Sequence, residues 1–222
     1  MSWTSAIPEI LAFFVSLVLV LGYHAYLHRR VRRDPGYAVH AVNARVRARW
    51  VETVMTSGRM DVLAIQTLRN SVMAASFMAS TSILLIMGVL TLSSDVDKMA
   101  RLWRTLSALG SGHSSEWMSL LNVMLLAADF FVAFYFYSMA VRYYNHVGYL
   151  INVPVDLARA ESSPAYVAAY LNRAGHNYSL GMRTFFFSLP LVFWFFGSYF
   201  MIGGTVALVL ALYTLDRAPS AV

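Results

Sequence analysis

An all-α membrane protein, with four transmembrane helices and amphipathic interfacial helices in the loops, is the fold class this sequence predicts, and three observations predict it. The first is a set of four long apolar runs, Ile10 to Leu27, Ser71 to Leu92, Met118 to Val141 and Thr184 to Leu212. Each is near or above the roughly 18 residues that cross about 30 Å of hydrocarbon. The second is composition: 59% hydrophobic and only 13% charged residues in a chain of 222 would leave large apolar patches on any globule in water. The third is where the charge lies. Of 17 lysines and arginines, nine arginines fall between His28 and Asn70 and four between Arg142 and Arg183, the distribution that results when basic segments stay in the cytoplasm.

These observations predict one membrane domain over residues 1–222, with spans at about 7–27, 66–92, 117–141 and 184–212. The first run has no basic residue before it and Arg29, Arg30, Arg32 and Arg33 directly after it. A secretory signal peptide has the reverse arrangement, so this run is read as a retained span with its N-terminus outside. Four spans then put the C-terminus outside as well. The net charge of +6 follows from the same loops and is not read as a nucleic-acid surface. With no cysteine in the chain, disulfides, thiolate metal sites and cysteine catalysis are excluded. The expected location is an integral, multi-pass membrane protein, in the inner membrane if the source is bacterial.

Between the spans the pattern changes period. Asp34-Pro35-Gly36 interrupts the first helix, because proline lacks an amide hydrogen and glycine accepts a turn. From Val39 to Thr56, Val39, Val42, Val46, Trp50 and Val54 recur at spacings of three or four, with Arg45, Arg49 and Glu52 on the other face. That describes an amphipathic helix, either lying on the cytoplasmic interface with Trp50 as anchor or packed under the bundle, and Gly58 is expected to end it. The second span starts early, since Val62, Leu63, Ile65 and Leu68 lead without a breaker into Arg69 and Asn70. Outside, Ser94-Asp95 marks a helix start, Val96, Met99, Trp103 and Leu106 a stripe, and Gly110-Ser111-Gly112 a stop. The second inner loop carries Ser163-Pro164, a cap and first-turn proline, then Tyr166, Tyr170 and Leu171 on one side before Gly175, a second short cytoplasmic helix. Ala75 with Ala79 and Ser76 with Ser80 mark a close contact on span two. Pro190 is expected to kink span four, and Gly197, Gly203 and Gly204 to admit a neighbour.

Two layers of polar residues stand out. Asp129 is the one charged residue inside an apolar run, near the midplane, where ionisation costs at least about 2.5 to 3.5 kcal/mol. Ser80, Thr81 and Ser82, with Ser16, Ser198 and Tyr199, fall at comparable depth. They suggest a midplane layer, read either as a proton or cation site or as hydrogen-bonded helix packing. The second layer is at the cytoplasmic helix ends: Tyr23 and His24, then Gln66, Arg69 and Asn70, then Arg142 and Asn145, then Asn152 and Arg183. Arginines there follow from orientation alone. Asparagine and glutamine do not, and Arg with Asn on neighbouring helix ends suits an anionic headgroup, a phosphate or a passing anion. His24 and His28 share a helix face, a spacing that suits a metal pair, but no third ligand accompanies them and no zinc motif surrounds them. The aromatic residues of spans three and four, Phe130, Phe131, Phe134, Tyr135, Phe185, Phe186 and Phe187, read as lipid-facing or packing groups. No metal or other cofactor is expected.

Several of these residues carry a resemblance. Gly22-Tyr23-His24, Asn43-Ala44-Arg45, Trp50-Val51, Gln66-Thr67-Leu68-Arg69-Asn70, Thr81-Ser82, Arg142 with Asn145, Leu150-Ile151-Asn152 with Pro154, and Gly181 with Arg183 resemble the bacterial and plant membrane-protein family catalogued as domain of unknown function 599. So do Leu189-Pro190-Leu191, Trp194, Phe196-Gly197 and Leu212-Tyr213 with Leu215-Asp216. The resemblance covers nearly the whole chain and implies a multi-span membrane protein without implying an activity. Asp129 lies in none of the matching stretches.

The functional expectation is an oligomeric channel or transporter for a small ion, an anion favoured, or a solute. The cytoplasmic Arg and Asn layer is its selectivity or binding element, and conduction runs along an axis between subunits or past a kink at Pro190. The alternative is a non-catalytic membrane scaffold holding anionic lipid or a cytosolic partner on the same basic surface. A membrane enzyme is not expected, because the sequence shows no paired acidic motif, no nucleophile beside a base and no phosphate-cradling glycine loop. The expected partners are membrane lipids, further copies of the chain and a small ion or solute, with no nucleic acid.

Overall fold

The computed structural model describes residues 3–34, 36–57, 61–94, 101, 105, 116–155, 160 and 163–218. Six helices run through them: α1 (Trp3–Arg33), α2 (Val39–Ser57), α3 (Asp61–Ser94), α4 (Glu116–Leu150), α5 (Pro164–Trp194) and α6 (Ser198–Leu215). No strand occurs among the described residues. Four helices are long and apolar enough to cross a bilayer, over Ile7–Arg33, Val62–Ser94, Trp117–Leu150 and Ser198–Leu215. The protein is an all-α, multi-pass membrane protein. α3 and α4, at 34 and 35 residues, are each about 50 Å long, well beyond the hydrocarbon thickness. Apart from Arg101 and Thr105, the outer-loop helix expected from Asp95 to Leu106, with its Gly110–Gly112 stop, lies outside the described residues, as does the Gly58 stop.

The chain divides into two compact units. The second contains α2, the first part of α3, the last part of α4 and the first part of α5. Its core is one cluster drawn from all four: Val51 and Val54, Ala64, Leu68 and Ala75, Ala140, Tyr144, Val147 and Ile151, and Val167, Ala168, Leu171 and Ala174. α2 is therefore packed through Val51 and Val54, while Arg45 and Arg49 are exposed, which favours the packed alternative for this helix. Ala75 and Ala79 are both buried, as the small-residue spacing predicts.

α5 begins as the sequence reads, with Ser163 Oγ accepting from the Tyr166 N–H at 3.3 Å and Pro164 in the first turn. It does not stop at Gly175. The helix continues to Trp194, because Gly175 is not a terminator: a Cβ there would lie 2.7 Å from the Arg47 guanidinium carbon. Glycine makes room for that side chain, whose Nε donates to Asn172 Oδ1 at 2.9 Å. Burial holds the Arg47 guanidinium below its ordinary pKa, a pull that Tyr144 partly opposes.

The first unit contains α1, Ile83–Ser94 of α3, the start of α4, Thr184–Trp194 of α5, and α6. Here the expected fourth span is corrected. The run from Thr184 to Leu212 is not one helix kinked at Pro190: α5 carries on through Pro190 to Trp194, and the chain turns at Gly197, whose φ of 128° and ψ of 167° belong to a region open almost only to glycine. The turn reverses the chain. Phe187 stacks on His24, and Trp194 on Phe13, so α5 runs antiparallel to α1. α6 packs against α1 in the opposite sense, with Met201 in a cluster that takes in Ile10 and Phe13 and Asp216 Oδ2 accepting from the Tyr23 hydroxyl at 2.7 Å. Beyond it the Ala218 N–H donates to the Tyr37 carbonyl at 2.8 Å.

The end of α6 thus lies at the arginine-bearing end of α1, whereas the sequence reading puts the C-terminus on the outer side. α5, whose first part is polar, is not among the helices long and apolar enough to cross a membrane. Arg217, the last basic residue, then lies at the end of this unit that carries Arg29, Arg30, Arg32 and Arg33. In sealed vesicles, a single cysteine at Ala218 in this otherwise cysteine-free chain should react with an impermeant maleimide only from the cytoplasmic face. Reaction from outside would restore the topology read from sequence.

Candidate functional site

The polar residues expected at the cytoplasmic helix ends do not form a single ring. On α3, the buried residues Ala64, Leu68 and Ala75 define the packed face, and at 100° per residue Gln66 and Asn70 point nearly opposite to it, with Arg69 on its flank. All three are exposed. Asn152 is exposed just past the end of α4, and Arg183 is half-buried on α5. His24 belongs to the first unit, where its Nδ1 lies 2.9 Å from the Val20 carbonyl of its own helix.

Arg142 and Asn145 do come together, and with residues the sequence reading passed over. An open groove of about 530 Å³ is lined by Arg142, Tyr143, Asn145, His146 and Tyr149 of α4 and by Tyr170 and Arg173 of α5. Its origin is helical periodicity. On α4, Ala140, Tyr144, Val147 and Ile151 enter the core, which leaves 142, 145, 146 and 149 on the other side. On α5, Val167, Leu171 and Ala174 are buried, and 170 and 173 flank them. The groove is the outer seam of this helix pair.

Aromatic contacts fix its wall. The His146 and Tyr170 rings lie 4.7 Å apart, and Tyr143 and Tyr170 meet edge to face at 6.1 Å. Tyr166 stacks on Tyr170 at 4.9 Å and donates its hydroxyl to the Tyr170 hydroxyl at 3.3 Å. The Arg173 guanidinium sits over the Tyr143 ring, 5.7 Å from its centroid, a cation–π contact that orients a group which would otherwise sample many rotamers. Among the described residues no acidic side chain lines the groove. Two guanidiniums, an amide, an imidazole and tyrosine hydroxyls therefore face one space of ligand size, a donor-rich set suited to an anion with several acceptor oxygens.

The residues expected in a midplane layer divide between the units, Ser80, Thr81 and Ser82 in the second and Asp129 in the first. The Thr81 hydroxyl donates to the Phe77 carbonyl at 2.9 Å and the buried Ser82 hydroxyl to Met78 at 2.9 Å, both one turn back on their own helix, and Ser80 is exposed. Asp129 is half-buried, and its Oδ2 has no hydrogen-bond partner.

A family comparison matches residues 11–221, nearly the whole chain. The chain belongs to that family, protein of unknown function DUF599. The groove residues and the Gly197 hairpin all lie inside the DUF599 match. No curated protein and no solved structure matches the chain. The signal for the DUF599 groove was present in the sequence as spacing. His146 and Tyr149 stand four and seven residues from Arg142, and Arg173 stands three from Tyr170, one helix face in each case.

Proposed function

We propose that this integral membrane protein is a channel or transporter for a small anion, and that the groove of Arg142, Asn145, His146 and Arg173 is its cytoplasmic binding layer. The observation that supports this reading is the pairing of two guanidiniums with an amide, and with no acidic side chain among the described lining residues, in one space of about 530 Å³, which favours a phosphate-like anion over a cation or a neutral solute. Conduction runs between copies of the chain. In support, residues 83–94 of α3 are exposed or half-buried among the described residues, an apolar stretch suited to lipid or a second protomer.

A second reading, a scaffold that holds anionic lipid headgroups, has its own support. Arg45, Arg49 and Val46 of α2 are exposed, a mixture of basic and apolar groups suited to a headgroup layer. Both readings bring a phosphate group to the groove, and one experiment separates them. Reconstituted protein should carry labelled inorganic phosphate into liposomes. Arg142→Gln with Arg173→Gln should lower that flux by roughly a hundredfold or more, the loss of two charge-assisted contacts. Arg69→Ala, outside the groove, should leave it unchanged. If the double variant keeps its flux but loses phospholipid retained through purification, the headgroup reading replaces the transport one.

A further inference from the structure

The groove is larger than the group that its guanidiniums hold. At about 530 Å³ it falls among the spaces that take an organic ligand, and a bare phosphate fills only a small part of it. Its residues are also sorted along its length. The Arg173 guanidinium is held over the ring of Tyr143, the residue next to Arg142, so both guanidiniums mark the same end. Tyr149 stands seven residues beyond Arg142, about 10 Å along α4 and within about 20° of the same direction, and marks the other end. Between them lie Asn145 and the wall of His146 and Tyr170, whose rings are 4.7 Å apart.

Each end has its own chemistry. No acidic side chain stands beside the guanidinium pair among the described lining residues, and a phosphate monoester carries a charge of about −1.5 to −2 at pH 7, which two guanidiniums balance. A triphosphate brings more charge than this end can match. Tyr149 is 82% exposed, so the faces of its ring are open, whereas Tyr170 is already covered by Tyr143, His146 and Tyr166. An open ring accepts a second flat ring on its face. Asn145, between the two ends, offers an amide donor and an acceptor side by side, the pair that reads the edge of a nitrogen-bearing base.

Resting on the anion-binding reading of this groove, we infer that its ligand is a nucleoside monophosphate, with the phosphate on Arg142 and Arg173, the base stacked on Tyr149 and the base edge against Asn145. Inorganic phosphate is then the fragment of that ligand which the guanidiniums alone recognise. A role as interfacial anchor accounts for one exposed tyrosine at this helix end. It does not account for the alignment of that ring with an amide and two guanidiniums along one groove.

The test is equilibrium binding by calorimetry to the purified full-length protein in one detergent, with adenosine monophosphate, ribose phosphate, adenosine and inorganic phosphate as probes. Adenosine monophosphate should bind about tenfold or more tighter than ribose phosphate, the contribution of one stacked base. Tyr149→Leu should remove that advantage and leave ribose phosphate unchanged, and Tyr149→Trp should keep it; at so exposed a position neither change endangers the fold. Ribose phosphate bound as tightly as adenosine monophosphate, or a Tyr149→Leu variant that retains the difference between them, overturns the inference and leaves the anion reading standing. Failure of the anion reading looks different: no phosphate-bearing probe binds, adenosine binds as tightly as its monophosphate, or Arg142→Gln with Arg173→Gln leaves the phosphate-bearing probes at their wild-type affinity. Any of these overturns both.

Discussion

Trp194→Ala should lower the stability of the protein by about 3–5 kcal/mol, the range for deleting a large buried aromatic side chain. Trp194 is 1% exposed and packs with Met118 and Met201, each 2% exposed. Its ring lies 5.8 Å from that of Phe13. In a bilayer, lipid is as apolar as the core, so the loss is one of close packing more than of burial. The site is also where α1, α4, α5 and α6 meet, and no single neighbour can move in to fill the space. Unfolding midpoints in one detergent should show the loss. Trp194→Phe keeps a ring against Phe13 and should lose much less. If Trp194→Ala unfolds at the wild-type midpoint, the four helices do not converge there.

Gly181→Val should be nearly as damaging, although replacing glycine within a helix ordinarily stabilises by up to about 1 kcal/mol. A Cβ at Gly181 would stand 2.8 Å from Tyr137 Cε1, closer than carbon atoms approach. Tyr137 cannot retreat: it is fully buried, meets Tyr178 edge to face at 5.7 Å, and donates its hydroxyl to Met182 Sδ at 3.2 Å. Overpacking of this kind costs about 1–3 kcal/mol for the first atoms, and the two methyl groups of valine add to it. At Gly148, on α4 of the same unit, a Cβ would meet nothing within 4 Å, so Gly148→Ala should be neutral or mildly stabilising. Tyr137→Leu should rescue Gly181→Ala in a double-mutant cycle. Independent, additive losses would mean that the contact does not exist.

The existence of the spans was legible because hydropathy over some twenty residues is a strong signal. The fourth was misdrawn because no charge marks the Gly197 turn. Its length was the clue: 29 residues from Thr184 to Leu212 make about 43 Å of helix, too long for one upright pass. Gly175 was read as a stop by the usual rule for helix ends, since nothing local shows that the Arg47 guanidinium, 128 residues earlier, needs the space.

For the candidate site, depth was legible and direction was not. Position along the chain put Arg69, Asn70, Arg142 and Asn145 at helix ends, but the side of the helix each occupies follows from which neighbours are buried. That is why Arg142 and Asn145 share a groove while Gln66 and Asn70 face away from the core. Tyr143, His146 and Tyr149 were passed over because aromatic residues near a membrane surface have a ready explanation as anchors, Tyr170 was read only as one side of a short helix, and Arg173 fell beside it without a partner that sequence position reveals.

The most direct measurement uses Tyr149, which lines the groove and is 82% exposed, as the site of the one cysteine in the chain. In sealed vesicles of known orientation, Tyr149→Cys should react with an impermeant maleimide only from the cytoplasmic side, and inorganic phosphate should slow that reaction while an equal concentration of a neutral sugar does not. Labelling from the outer side, or a rate that phosphate leaves unchanged, would contradict an anion-binding groove on the arginine-rich face.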